Sequence, residues 1–169
     1  MAYKEHLKEG PRQVGCAVIT VSDTRDESSD KSGQLIRDLL EAQGHQIVYY
    51  AVVEDVPMQI KGELAIQVQR SSCQAIILNG GTGIAPRDHT YDTVAPLLDK
   101  RLDGFGELFR LLSYQEIGSG AMLSRAVAGT YKGRVLFSLP GSTGAVRLAM
   151  EKLILPELGH MVGQLNRHS

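Results

Sequence analysis

Three short apolar runs constrain this chain more than any other feature: GCAVITVSD (15–23), HQIVYYAVV (45–53) and QAIILNG (74–80). Each is β-branched and continuous rather than alternating. A strand that shows one face to water alternates, whereas a strand covered on both faces reads as an unbroken apolar run. The stretches between them change period. SSDKSGQLIRDLLEAQG sets Leu35, Ile36, Leu39 and Leu40 on one helical face, and EDVPMQIKGELAIQVQR repeats Ile60, Leu64 and Val68 at four-residue spacing. Ser and Asp before the first helix are candidate N-caps, and Gly44 stands where a C-terminal stop belongs.

Strand and helix therefore alternate, which predicts a three-layer α/β/α sandwich around a mostly parallel sheet. Further along, TYDTVAPLLDK predicts a short helix from near Thr90, and LDGFGELFRLLSYQEIG a turn and a longer one. GAMLSRAVAGTYKGRVLFSLPG reads as a hairpin-like strand pair. The tail STGAVRLAMEKLILPELGHMVGQL is helical, with Pro156 kinking or restarting it. At 169 residues the chain suits a single domain over 14–169, preceded by a flexible leader over 1–13.

Charge removes some function classes. Lys and Arg total 18 against 19 Asp and Glu, so the basic excess of a general nucleic-acid binder is missing. Cys16 and Cys73 sit in apolar surroundings as reduced, buried thiols, and the five His show no zinc spacing. No apolar run approaches a membrane span, and the polar MAYKEHLKEGPRQ lacks a signal-peptide core. A cytoplasmic protein is expected.

The third run ends in NGGTGIAPRDHT (79–90). Ligands of open α/β sheets lie beyond the carboxyl ends of the strands, where this loop would hang. Gly80, Gly81 and Gly83 would bare backbone amides to an anion, Thr82 adds a hydroxyl, and Arg87 a fork of donors for phosphate. A tight strand-to-helix turn would use the same glycines. Neither the Walker pattern nor G-x-G-x-x-G is present. Asp88 beside a phosphate site implies a bridging cation such as Mg²⁺; alternatively it caps the helix or pairs with Arg87. Asp55 ends the second strand and would emerge at the same sheet edge, or act as an N-cap before Val56 and Pro57. SLPGSTG (138–144) repeats the strand, glycine turn and helix start with Ser142 as cap, and AMLSR (121–125) offers Ser124 and Arg125 as a second anion contact. Ordinary turn chemistry would serve for each.

Taken together, TVSDT, DKSG, NGGTGIAPRDHT, GFGELFR, AMLSRA and LPGS followed by GAVRLAMEKLILPELGH resemble the MoaB/Mog family of molybdenum-cofactor biosynthesis proteins, its MoaB branch most closely, over about residues 14–160. The resemblance implies a molybdopterin-binding fold that assembles as a trimer or hexamer. It also implies Mg²⁺-dependent adenylylation of molybdopterin by ATP, or molybdopterin binding without catalysis, in company with other molybdenum-cofactor enzymes. The family's acidic positions fall on Asp55 and Asp88. Its nucleotide and pterin loops fall on Gly80, Gly81, Thr82, Gly83, Pro140, Gly141 and Ser142, and its serine near the pterin phosphate on Ser124. His89, Tyr91 and Asn79 depart from the usual aliphatic residue, proline and Mog-branch threonine.

Overall fold

A computed structural model describes residues 2–7 and 9–167. Six strands form one sheet in the order β2-β1-β3-β6-β5-β4. The first three are the runs read above, as β1 (Gly15–Val21), β2 (Gln46–Val53) and β3 (Ala75–Asn79). β1 pairs in parallel with β2 on one side and β3 on the other, and β3 pairs in parallel with β6 (Arg134–Leu139). β5 (Val127–Tyr131) is antiparallel to β6, as the hairpin reading expects. A two-residue edge strand that the sequence did not announce, β4 (Lys100–Arg101), continues the sheet from β5. Its two residues are too few to carry a period.

Burial follows the run pattern. Every residue of β1 and β3 is buried, and β2, on the edge, is half-buried almost throughout. Alternate residues of the central strands feed two cores. Val18, Ile77 and Phe137 lie with Ile36 and Leu40 of helix α2 (Lys31–Ala42), Phe105 and Phe109 of α5 (Asp103–Ile117), and the C-terminal helices. Ile19, Ile76, Leu78 and Leu136 lie with Ile60 and Leu64 of α3 (Pro57–Gln69) on the opposite face. The sheet is thus the middle of three layers.

Local chemistry sets the helix ends. Asp30 caps α2 by accepting the Gly33 N–H at 3.0 Å, and Gly44 turns the chain out with φ +83°. Short α4 (Thr90–Val94) leads into a 3₁₀ turn. The tail runs as α6 (Thr143–Ala149), a π-helical turn over Met150–Ile154, and α7 (Leu155–Leu165). Pro156 supplies no N–H to the preceding turn, which accounts for the widened segment before it. The stretch 120–123, read as the opening of the hairpin-like strand pair, belongs instead to a 3₁₀ helix over Gly118–Leu123, and the strand pairing begins at Val127. Two glycines and a small-residue run within GSGAML give it little strand preference. The described part of the leader holds α1 (Ala2–His6); the Tyr3 hydroxyl donates to Glu157 of α7 and its ring meets His160 edge-on.

Candidate functional site

β1 has neighbours whose connections leave in opposite directions, and the carboxyl ends of β1, β2, β3 and β6 surround an open cleft of about 440 Å³ at that switch point. Its walls include Asp55, Gly80, Gly81, Arg87, Asp88, Gly141 and Ser142, candidates read from three separate segments of the sequence. Val21, Ser22, Asp23, Thr24 and Arg25 complete it. None of these five was assigned a role from sequence. The available signal was positional: a polar SDTR directly after the most buried strand of a parallel sheet.

The glycine loop does more than expose amides. Gly80 and Gly81 adopt φ +111° and +63°. A Cβ on Gly81 would overlap Thr90 Oγ1 and Asp55 Oδ2, and one on Gly83 would lie 2.7 Å from Asp88 Oδ2. The bare positions therefore make room for the two carboxylates themselves. Asp55 is only 8% exposed and is held by the loop, accepting the His89 N–H at 3.1 Å and the Thr90 hydroxyl at 3.1 Å. Burial pushes its carboxyl above the ordinary value, against the pull of those donors. The N-cap of α3 is Val56, so Asp55 is not that helix's cap, and Thr90 spends its hydroxyl on Asp55 instead of capping α4. Asp88 is half-buried and accepts the Ala85 N–H at 3.0 Å. It caps no helix and its side chain does not pair with Arg87, which reaches Asp23 Oδ2 at 2.6 Å.

The cations differ in freedom. Arg25 is fixed, donating to Ser32 Oγ at 2.7 Å and the Gly141 carbonyl at 3.1 Å beside Asp30 at 3.5 Å. It ties the loop after β1 to the loop after β6. Arg87 is open, with 71% of its side chain exposed. Arg125 does not face the cleft as an anion contact. Its guanidinium donates to the Gly83 carbonyl at 2.7 and 3.1 Å and to Asp92 at 2.9 Å, clamping the glycine loop from behind. The backbone N–H of Arg125 also donates to the Thr82 carbonyl at 3.0 Å.

Four expected residues are not in the cleft wall. Thr82 is buried, Gly83 backs onto Asp88, Pro140 only leads to Gly141, and Ser124 Oγ accepts the Ala126 N–H at 3.4 Å. Ser142 caps α6 as expected, accepting the Ala145 N–H at 3.3 Å.

Beneath the floor, Asp30 accepts from Thr20 and Tyr50, each at 2.6 Å, while Asn79 donates to Thr20 Oγ1 at 2.8 Å and accepts from Ser32 at 2.6 Å. Burial would raise the Asp30 carboxyl, but donors from Thr20, Tyr50, Gly33 and Ser32 hold it below the ordinary range.

Asp55, Asp88 and Asp23 offer hard oxygen donors, the type that Mg²⁺ takes. Among the described residues no three His, Cys, Asp or Glu converge as a ready cage. Mg²⁺ suits such a place, since it is commonly held by one or two carboxylates with water and substrate phosphate filling the rest. No helix of the described residues is long and apolar enough to cross a membrane.

Known proteins share this architecture. Residues 17–160 match the model of the family described as "Probable molybdopterin binding domain". Molybdenum cofactor biosynthesis protein B of Halalkalibacterium halodurans is 54% identical over 166 residues, covering 98% of each chain. The protein of that name from Bacillus subtilis is 49% identical over 99% of each. A crystal structure of a molybdenum cofactor biosynthesis protein B superposes with a TM-score of 0.90 at 52% identity, over 93% of this chain and 98% of that one. The tungsten cofactor synthesizing protein MoaB from Pyrococcus furiosus does so with 0.83 at 39%, over 92% and 98%. With the fold, the glycine loop and the full-length likeness in agreement, the chain belongs to the MoaB/Mog family of molybdenum cofactor biosynthesis proteins.

Proposed function

We propose that this protein transfers an adenylyl group from ATP to molybdopterin, with Mg²⁺, releasing pyrophosphate. One observation carries the reading: two carboxylates, Asp55 and Asp88, meet bare glycine backbone and two guanidiniums in a single open cleft. A site for a neutral ligand would have no use for both signs of charge at such density. Phosphate transfer does, because two anions must be brought together.

A terminal phosphate oxygen of molybdopterin would attack the α-phosphorus of ATP as the bond to the bridging oxygen breaks. The nucleophile is already anionic, so no residue need remove a proton. Arg25, immobile between two loops, would fix the position of one phosphate, and Arg87 would close on another. The amides after Gly80 and those near Gly141 would line the phosphate path. Asp55 and Asp88 would hold Mg²⁺, which neutralises charge on the triphosphate when bound. Such a cation would favour the charged form of the Asp55 carboxyl and so oppose the burial that raises it.

Incubation with molybdopterin, ATP and Mg²⁺ tests the reading. Adenylylated pterin and pyrophosphate should appear together, and ATP should persist when molybdopterin is withheld. Orthophosphate release without pterin would overturn it. A second reading, a molybdopterin-binding protein without turnover, is favoured by the bonds that already occupy both oxygens of Asp55. Pterin binding with no pyrophosphate under any divalent metal would select it.

A further inference from the structure

Asp23 stands at the cleft wall with no part in the chemistry above. Its two oxygens serve two different site residues. Oδ1 accepts the backbone N–H of Asp55 at 2.9 Å, and Oδ2 accepts Arg87 Nη2 at 2.6 Å. The first bond fixes the carboxylate relative to the end of β2. The second draws the more exposed of the two cleft arginines to one side. Asp23 is charged when it does so, because the Asp55 amide and then Arg87 hold its carboxyl below the ordinary range.

The three cleft acids differ in what they face. Asp55 faces Thr90 and the His89 amide, and Asp88 faces the Ala85 amide; among the described residues only Asp23 pairs with the Arg87 guanidinium. Arg25, by contrast, is committed to Ser32, Gly141 and Asp30, so it can meet a phosphate only from the position those bonds give it and cannot swing toward one as Arg87 can. A carboxylate presents a guanidinium with the same kind of oxygen as a phosphate does, at the same hydrogen-bond distance.

We propose that Asp23 is an internal competitor for Arg87, so that a ligand engages this arginine only when its phosphate outbids the carboxylate. The idea rests on reading the cleft as a phosphate site and adds a selectivity device to it. A ligand with one weak negative charge would leave the Asp23–Arg87 pair closed. A pyrophosphoryl group, with several charges in reach, would open it. Such a pair is easily broken, because an exposed ion pair alters an equilibrium by no more than about fivefold. Asp23 would keep its bond to the Asp55 amide after release, leaving the end of β2 in place.

Calorimetric titration with sodium pyrophosphate, without divalent metal and at low salt, tests this on the full chain. Asp23→Asn retains an acceptor for the Asp55 amide but lacks the charge that holds Arg87. It should bind pyrophosphate about three- to fivefold more tightly than wild type, with the gain shrinking as salt is added. In an Arg87→Gln background the same substitution should change affinity by less than about twofold, as a double-mutant cycle requires of a coupled pair. Asp23→Ser, which also keeps an acceptor, should repeat the gain if Asp23→Asn folds poorly by circular dichroism. A gain that survives Arg87→Gln would reduce Asp23 to general repulsion and overturn the competitor. Equal or weaker binding by both Asp23 variants would do the same while leaving the phosphate site standing. Absence of pyrophosphate binding in every variant would remove the phosphate site and the competitor together.

Discussion

Asp55 and Asp88 look equivalent in the sequence, as one acid at the end of each of two strands, yet their surroundings assign them different burdens. Asp55 is buried and supports the loop through His89 and Thr90, whereas Asp88 is half-buried and holds one neighbouring amide. Asp88→Asn should therefore unfold at the wild-type denaturant midpoint while losing pyrophosphate release. Asp55→Asn should lose activity and also about 1–3 kcal/mol of stability, since an amide cannot accept on both sides. Equal midpoints for the two variants in urea titrations would contradict this division. Asp30, 2% exposed beneath the cleft, gives a pH signature. Its folded carboxyl lies below the ordinary 3.8, so the stability it confers is complete above that value and drains away as pH falls through the depressed one. Asp30→Asn should cost about 1–3 kcal/mol near neutrality. The gap from wild type should narrow in acid, as measured by thermal melts from pH 7 downward. Arg125 shows how a residue type can mislead. A guanidinium near a glycine loop suggests an anion contact, but three of its bonds serve Gly83 and Asp92.

At the scale of elements, the loop joining β3 to α4 decides whether the site exists. Its glycines were legible as a turn or an anion loop, and they form a turn that makes room for the carboxylates while Gly80 and Gly81 line the open cleft. Gly81→Ala would combine φ +63° with overlap on Thr90 and Asp55. A loss of about 2–4 kcal/mol is expected, together with loss of activity, because strain and overpacking add. Gly44→Ala is the control. That residue also has positive φ but meets nothing within 4 Å, so about 1 kcal/mol and no change in turnover are expected. Guanidinium titrations of the two variants separate the contributions. The loop after β1 contributed TVSDT to the family resemblance, but no role for its residues could be read from the sequence. Ser22 to Arg25 carry no glycine and no periodicity to mark them, and their place in the cleft follows from β1 lying between β2 and β3.

For the molecule as a whole, the question is what covers helix α5. Phe105 and Phe109 turn inward, while Leu108, Leu111, Tyr114 and Ile117 repeat at three-residue spacing on the outer face with Met122 and Leu123 beyond them, all exposed. The apolar residues of the final helix are divided differently, since Leu158 and Val162 fill the monomer core. Self-association is therefore expected through α5 and not through the buried face of α7. Light scattering should give a multiple of the 18.4 kDa chain. Leu108→Glu with Leu111→Glu should bring the mass down to that of one chain, as each buried leucine contributes about 1.5–3 kcal/mol. A wild-type protein that stays at 18.4 kDa at micromolar concentration would leave this face without a partner.

The sequence alone determined the layered fold, because continuous β-branched runs between helical periods have few ways to bury themselves other than as a parallel sheet covered on both sides. It also marked Asp55, the glycine loop and the 141–142 turn, each of which ends a strand and bears its own local signature. Tertiary structure decided what those marks do. Which strand lies beside which brought Ser22–Arg25 into the cleft, and the distances between loops turned Arg125 into a clamp and Thr90 into a partner of Asp55. Strand order and side-chain pairing arise from contacts between residues dozens of positions apart, and no local pattern of residues records them.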